Sequence, residues 1–371
     1  MDPPLVAHLI TSTALGGAET RLASFLEAAD KTRFRHLVIG LSPRGMVADR
    51  IEAAGVPVIA VGAEGTTDVY RAVKRLRSIL ADARPSILHS QLFHANVLGR
   101  ILGRCGRVPV VISGYASTDP DLPLHRIAAD LLTARLAHHH TANCNAVAKA
   151  VSRRTRISPR RISVIYPGRS DPLEHRNLSE IRKVRMQRPK PLLLAVGRLH
   201  RAKGHDVLLD ALAALPFEFE CVVVGGGPDR GRLEEQASQL GLSGRVRFVG
   251  TKVDPSEFFE QASIFVHPSN WEGMPGALIE AMFWELPIVA TAVGGIPEAV
   301  VHRKSALLVS PGDASALAAA LSWLFDKPDF AAALASQARK NAVGRFRIAK
   351  VAKQWEDLYD RLLYRRSSTA P

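Results

Sequence analysis

Leu192-Leu193-Leu194-Ala195-Val196-Gly197-Arg198-Leu199, followed after three residues by Lys203-Gly204-His205-Asp206, decides the reading of the fold. Five aliphatic residues in a row, with no polar alternation, predict a strand covered on both faces, which is the habit of a parallel sheet. A glycine-bearing basic loop follows, and Lys203-Gly204-His205-Asp206 opens a helix. Arg198 and Lys203 therefore share one short loop at the carboxyl end of a strand, where open parallel sheets bind their ligands. Arginine presents a planar fork to phosphate oxygens and lysine a mobile point charge. The same residues also suit a solvated surface loop.

Working outward, the same unit recurs. Toward the N-terminus lie Val6–Ile10, His36–Leu41, Val56–Val61, Ile87–His89, Val110–Ser113, His139–Ala142 and Ile162–Tyr166, with helix-like stretches such as Ala18–Ala29, Val69–Ala81 and Arg126–Ala137 between them. Toward the C-terminus lie Cys221–Val224, Val246–Val249, Ile264–His267, Ile288–Thr291 and Ala306–Val309, then helical Ala314–Phe325, Phe330–Ala342 and Ile348–Leu363 and a polar tail. Strand and helix in alternation predict α/β architecture, here two Rossmann-like doubly wound domains. Gly168–Pro191, with five arginines, two lysines and three prolines, interrupts the rhythm. The expected division is residues 1–170, a linker at 171–190, a second domain at 191–345, and 346–371 as a helix returning to the first domain plus tail.

A chain of 371 residues, 47% hydrophobic and 6% aromatic, can fill two aliphatic cores and is not disordered. Its longest uncharged apolar stretch, near Ala314–Phe325, is too short to span a bilayer. Met1-Asp2-Pro3-Pro4 has no basic leader, and Cys105, Cys144 and Cys221 have no ligand-like spacing, so a cytoplasmic protein with reduced thiols is expected. The net charge of +14 is concentrated in residues 1–172, with 23 Lys/Arg against 13 Asp/Glu. An acidic partner is implied: a phosphorylated substrate or an anionic membrane surface. Nucleic acid is disfavoured, because the basic residues are not interleaved with aromatics.

Three motifs carry chemistry. Gly16-Gly17-Ala18-Glu19 follows the first strand, and Gly225-Gly226-Gly227-Pro228-Asp229 follows the second strand of the second domain. Each is a tight strand-to-helix turn or a turn whose exposed N–H groups hold a phosphate. Neither is a dinucleotide fingerprint, since Arg230 stands where a third glycine would fall, which disfavours hydride transfer. The densest constellation is Ser269-Asn270-Trp271-Glu272-Gly273-Met274-Pro275-Gly276-Ala277-Leu278-Ile279-Glu280. Pro275 and Gly276 suit a helix start, placing Glu272 in the loop and Glu280 about one turn inside the helix. Two carboxylates of different exposure can do different work: one accepts hydrogen bonds from a diol, the other holds a polar ring or a developing positive charge.

Taken together, Gly-Arg-Leu…Lys-Gly, Val-Gly-Gly-Gly-Pro and Glu-Gly-Met-Pro…Glu-Ala-Met, with Pro-Ile-Val-Ala-Thr and Gly-Gly-Ile-Pro-Glu after them, resemble the retaining family 4 glycosyltransferases of the GT-B fold, from Gly16 to about Val309. The resemblance implies two Rossmann-like domains facing across a cleft. It implies that Arg198 and Lys203 bind the donor diphosphate, that Glu280 binds the ribose hydroxyls, and that Glu272 and the backbone of Gly273, Met274, Pro275 and Gly276 contact the transferred sugar and phosphate. Gly16 and Gly17, with Gly225 and Gly226, would line the donor site, and Val249–Lys252 would face the base. Relatives often carry a histidine after the strand matching Val110–Ser113, where Gly114-Tyr115-Ala116 stands here; Tyr115 is the candidate substitute. His94 is a second acceptor-side candidate or an ordinary loop histidine.

The activity so implied is transfer of a sugar from a nucleotide-diphosphate sugar to a hydroxyl of a glycan or lipid-linked sugar, with retained configuration, in cell-surface polysaccharide synthesis. No cofactor and no metal are expected. Asp119-Pro120-Asp121 reads as a proline-bounded turn, and adjacent residues of His138-His139-His140 point to opposite faces of a strand. Arg71, Lys74, Arg75 and Arg77 on one helix and the Arg153–Arg161 cluster suit either an anionic inner leaflet or plain solvation. A sugar-nucleotide epimerase of similar architecture and a non-catalytic nucleotide-sugar-binding protein are the competing readings.

Overall fold

A computed structural model describes residues 2–64 and 68–367. The chain divides into two compact units, Met1–Gly168 with Ile348–Pro371, and Arg169–Arg347. The polar tail falls mostly at 368–371, outside the described residues.

The first unit is built on seven parallel strands: β1 (Leu5–Ile10), β2 (Arg35–Gly40), β3 (Val58–Ala60), β4 (Ile87–Gln91), β5 (Val110–Tyr115), β6 (His139–Ala142) and β7 (Ile162–Val164). Their order across the sheet is β3-β2-β1-β4-β5-β6-β7. Connecting them are α1 (Gly17–Ala28), α2 (Val47–Ala53), α3 (Val69–Ala83), α4 (Phe93–Cys105), α5 (Leu124–Thr133) and α6 (Asn145–Thr155). The central strands β1, β2, β4, β5 and β6 are largely buried and the edge strands β3 and β7 half-buried; the buried strands also carry polar residues, among them His8, His36, His89 and His140. Trp355, Leu358, Tyr359 and Leu362, from the last helix of the chain, are buried in this unit's core beside Phe25 and Phe34. That apolar stripe explains why the chain's final helix belongs here and not with the residues that precede it.

The second unit begins with α7 (Leu178–Met186) and holds six parallel strands: β8 (Leu192–Val196), β9 (Glu220–Val224), β10 (Val246–Gly250), β11 (Ile264–His267), β12 (Ile288–Thr291) and β13 (Leu307–Val309). Its helices are α8 (His205–Ala213), α9 (Arg230–Gln239), α10 (Ser256–Gln261), α11 (Gly276–Phe283), α12 (Ile296–Ala299), α13 (Ala314–Asp326) and α14 (Pro328–Arg345), and α15 (Ile348–Ser367) is the helix returned to the first unit. The stretch 171–190, expected as a linker, instead belongs to this unit. Arg185 donates to the carbonyls of Phe259, Glu260 and Trp284, the ends of α10 and α11, and Arg182 pairs with Glu285. Arg185 caps helix ends and Arg176, Arg182, Arg188 and Lys190 pair with carboxylates of this unit, uses that composition alone does not distinguish from a solvated spacer.

Sheet order in the second unit is β10-β9-β8-β11-β12-β13. From β8 the chain winds outward to β9 and β10, then returns to lay β11 on the other side of β8. Loops leaving β8 and β11 therefore diverge, and a crevice opens between the carboxyl ends of these two strands. The Arg198–Lys203 loop and the Ser269–Gly276 loop are those two loops.

Candidate active site

Lys203 reaches the crevice because its loop is fastened to the loop after β11. The Asn270 amide nitrogen donates to the Ala202 carbonyl over 2.8 Å, and the Asn270 side chain donates to the Arg201 carbonyl over 2.7 Å. Gly204 ends this turn with φ +60, and a Cβ there would overlap the Pro268 carbonyl oxygen. Only glycine satisfies both the left-handed backbone and the close approach. On the other side Gly294, φ +54, lies under the Glu272 carbonyl, while the Thr291 hydroxyl donates to the Ser269 carbonyl over 2.6 Å. The loop carrying Glu272 is thus clamped from both flanks.

Glu272 is buried, and its Oε1 accepts from three donors: the Lys203 ammonium, His267 Nε2 at 2.9 Å and the Ser269 hydroxyl at 2.9 Å. Burial alone would push its carboxyl upward. The Lys203 charge and the His267 hydrogen bond outweigh that and hold it down at about 2. The group is a carboxylate at any physiological pH. Burial lowers His267 despite the neighbouring carboxylate, so the imidazole is a neutral donor whose tautomer Glu272 selects. His205, the first residue of α8, is pushed to about 3 by burial and by His267 and Lys203. The outcome is an ammonium, about a quarter exposed, held on a fixed buried carboxylate at the sheet's switch point.

Eight residues on, Glu280 stands in the second turn of α11 and accepts from Arg169 Nε over 2.6 Å. The Arg169 guanidinium lies directly against Gly276, the first residue of α11, where a Cβ would collide with it. A guanidinium beside the N–H groups of a helix start concentrates positive potential at one point. Met274 and Pro275 are buried and bring the backbone into that helix start. Arg198 stands apart: it is exposed, on the same loop as Lys203, and forms no ion pair with a described residue.

The triple glycine has a structural job. Gly225 and Gly227 pass so close to the Gly197 and Leu199 carbonyls that a Cβ at either would overlap them, and Leu199 N donates to Gly226 O over 2.9 Å. These residues lock the β8 and β9 loops together. Gly225 N also donates to Gly250 O over 2.8 Å, which places the 249–252 segment beside them.

In the first unit, Gly16 precedes α1 and Gly17 begins it. Burial raises the Glu19 carboxyl, and Arg21 donates to Gln91 over 2.8 Å. His94 lies in the first turn of α4, not in a loop, and is exposed. Tyr115 is not available as a free hydroxyl: it donates to Asp130 Oδ1 over 3.0 Å and accepts from Arg100. Arg100 is fully buried, and Arg154 closes the same network on Asp130 at 2.9 Å. The three consecutive histidines disperse, His138 bonding Arg104 and the Val111 amide, His139 bonding Ser163, and His140 buried between strands. Among the described residues no group of three His, Cys, Asp or Glu is arranged to hold a metal, and no helix is long and apolar enough to cross a membrane.

Motif reading missed Arg169, His267 and Ser269 as site residues. Arg169 lies 111 positions from its partner, and nothing local signals the pairing. His267 ends a strand, and Ser269 opens the glutamate loop; their proximity to Glu272 was the one available hint.

A family model described as glycosyl transferases group 1 matches residues 178–341, and one described as glycosyltransferase family 4 matches residues 15–170. A D-inositol 3-phosphate glycosyltransferase 2 of Catenulispora acidiphila is 32% identical over 305 residues, 74% of this chain and 70% of that protein. The lipopolysaccharide core biosynthesis glycosyltransferase LpsE of Rhizobium meliloti is 30% identical over 156 residues, 42% of this chain and 46% of its own length. The chain spans about half the length of several curated relatives it matches and 70% of the Catenulispora protein. Among solved structures, Anabaena HepE in complex with UDP-glucose superposes with a TM-score of 0.87 at 23% identity, over 96% of this chain and 100% of that one. That likeness carries the fold, the GT-B architecture. With both halves matched by the family's models, and a relative of this identity over more than two thirds of its length, the chain belongs to the family 4 (group 1) glycosyltransferases.

Proposed function

We propose that this protein is a retaining, metal-independent transferase that moves a sugar from a nucleotide-diphosphate sugar to a hydroxyl of a glycan or lipid-linked sugar in surface-polysaccharide synthesis. The observation that carries the reading is the Lys203–Glu272 pair, held at the switch point by His267 and Ser269. A fixed carboxylate there aims an ammonium at the place where a leaving diphosphate gathers charge. Arg198 and the N–H groups of Gly273, Met274 and Gly276 add to it, and Gly225 and Gly226 are the donor-side turn of the same unit; Gly16 and Gly17 form the corresponding turn of the first unit. Glu280 takes the ribose hydroxyls on the oxygen that Arg169 leaves, since among the described residues its Oε1 is the engaged one.

In the reaction the bond from the sugar's C1 to the phosphate oxygen breaks as the acceptor oxygen bonds to C1. The acceptor's proton passes to the departing phosphate oxygen, so no protein base is needed. Lys203 and Arg198 stabilise the diphosphate much as a metal would. A solved neighbour holds UDP-glucose, which supports a uridine donor, and relatives named for lipopolysaccharide core synthesis support a glycan or lipid-linked acceptor. His94 is the acceptor-side candidate that remains; Tyr115 does not stand in for the family's histidine, because its hydroxyl is already engaged.

The test is a panel of nucleotide sugars screened by thermal shift, followed by nucleoside diphosphate release with and without acceptor. Donor-dependent stabilisation and slow release are expected. Isomerised donor without acceptor would establish an epimerase instead, and binding without transfer or hydrolysis a nucleotide-sugar-binding protein.

A further inference from the structure

Helix α5 is inside out. Its one fully buried residue is Asp130, while Leu124 (84% exposed), Leu132 (79%) and Leu131 (36%) face solvent. These leucines, with Ala128, recur at helical spacing along one outward stripe that ends at the exposed Arg135. An amphipathic helix normally turns such a stripe into the core. Here the opposite orientation is enforced, because Asp130 is required below by Arg100 Nη1 at 2.7 Å, by Arg154 Nη2 at 2.9 Å and by the Tyr115 hydroxyl at 3.0 Å. Pulling the leucines inward would strand two arginines. Turning outward leaves an apolar face that no described residue covers.

The surroundings of that face are basic. Helix α5 packs against α4 and α6, and the three helices together contain one acidic residue, the buried Asp130. Exposed around the stripe are Arg104 on α4, Arg135, and Lys149, Arg153 and Arg156 at successive turns of α6 and its end, with Ile101 of α4 also exposed. Asp119 and Asp121 precede the helix and are tied into their own turn, Asp121 N donating to Asp119 over 3.0 Å. By contrast α3, equally basic, exposes only Val69 and Tyr70 of its large apolar residues, both in its first turn, and has no apolar stripe along its length. Its Arg75 is engaged with the Val61 carbonyl at 3.0 Å, and no leucine lies on its exposed face.

We propose that α5 is a membrane-docking helix. Its leucines enter the boundary between headgroups and acyl chains of an anionic bilayer, and the arginines and lysine of α4 and α6 engage the lipid phosphates. Leucines alone would suit a second copy of the chain, but two copies would bring these like charges together. An anionic lipid surface satisfies both the stripe and its basic rim. The proposal rests on the transferase reading in one respect only, that a lipid-linked acceptor gives docking a purpose.

The test is co-sedimentation of the full chain with phosphatidylcholine vesicles, with and without phosphatidylglycerol, run beside a thermal shift with UDP-glucose. Binding is expected to the anionic vesicles and to fall steeply with salt. The triple variant Leu124→Ser, Leu131→Ser, Leu132→Ser should lose about 10- to 100-fold in partitioning with an unchanged melting temperature. The corresponding phenylalanine variant should retain binding. Arg153→Glu with Arg156→Glu should lose about tenfold or more. Undiminished binding by the serine variant, failure of the native chain to bind at low salt, or a dimer that the serine variant dissolves would each overturn the proposal. The donor arm separates the two readings: vesicle binding without any donor effect sinks the transferase and spares the docking helix, and the reverse result does the opposite.

Discussion

Replacing Lys203 by alanine removes the charge that holds Glu272, and its cost can be worked from the site. A carboxyl kept at about 2 instead of its ordinary 4.5 contributes about 3 kcal/mol of stability at neutral pH. Among the Lys203, His267 and Ser269 donors to Glu272 Oε1, Lys203 is the charged one, and it is about a quarter exposed to screening. A share of about 1–2 kcal/mol is its reasonable portion. For a unit of this size that lowers the melting temperature by about 2–8 °C. The sign with pH follows from a depressed carboxylate: the stabilisation is complete above the unfolded value near 4.5 and fades as pH falls toward 2. Thermal melts of native and Lys203→Ala protein should therefore differ at pH 7, with a gap that narrows as pH falls from about 4.5 and closes only toward pH 2. Curves that coincide at pH 7, or a gap that stays constant into acid, would refute the assignment of Lys203 as the group that sets Glu272.

Gly204→Ala should lower stability by about 2 kcal/mol or more, since the new Cβ meets the Pro268 carbonyl at a left-handed φ; denaturant melts check it, with an Ala substitution at exposed Gly241, φ +68 but open space, as the strain-only comparison. Asp130→Asn leaves the buried Arg100 with no charged partner among the described residues, and a loss of about 3–5 kcal/mol is expected in the first unit, read by melting. Tyr115→Phe should cost about 1–2 kcal/mol in the same network while leaving donor-dependent nucleotide release unchanged, the opposite of what an acceptor-binding hydroxyl would show.

Much of this fold was legible because parallel strands announce themselves. Leu192–Val196 begins and ends where its apolar run does, and Ile264–His267 carries its run to Val266 with His267 at the carboxyl end, where the site begins. Short edge strands were overestimated: Val56–Val61 and Ile162–Tyr166 contribute only Val58–Ala60 and Ile162–Val164 to the ladder, their remaining apolar residues packing as loop. The strand expected at Ile87–His89 runs on to Gln91, and Leu92, at φ +71, turns the chain straight into α4, which puts His94 on a helix; that single-residue turn has no glycine to announce it. At the site, Arg198, Lys203, Glu272 and Glu280 were readable from local motifs on a common pattern of strand ends. The partners that give them their chemistry were not. Arg169 reaches Glu280 across more than a hundred residues, and His267 reaches Glu272 only because Gly294 and Gly204 press the loop into place. Long-range pairing has no period. The outward leucines of α5 show the converse failure, where a helical stripe that predicts core is turned to solvent by one buried aspartate.

The account stands on Lys203 as a diphosphate anchor in the second unit, and titration calorimetry with UDP-glucose and other nucleotide-diphosphate sugars tests it most directly. Native protein should bind at least one of them, and Lys203→Ala should bind it about 10- to 100-fold more weakly, as the loss of a hydrogen bond to a charged group requires. Equal affinity in a folded Lys203→Ala variant, or a native chain that binds none of these donors, would contradict it.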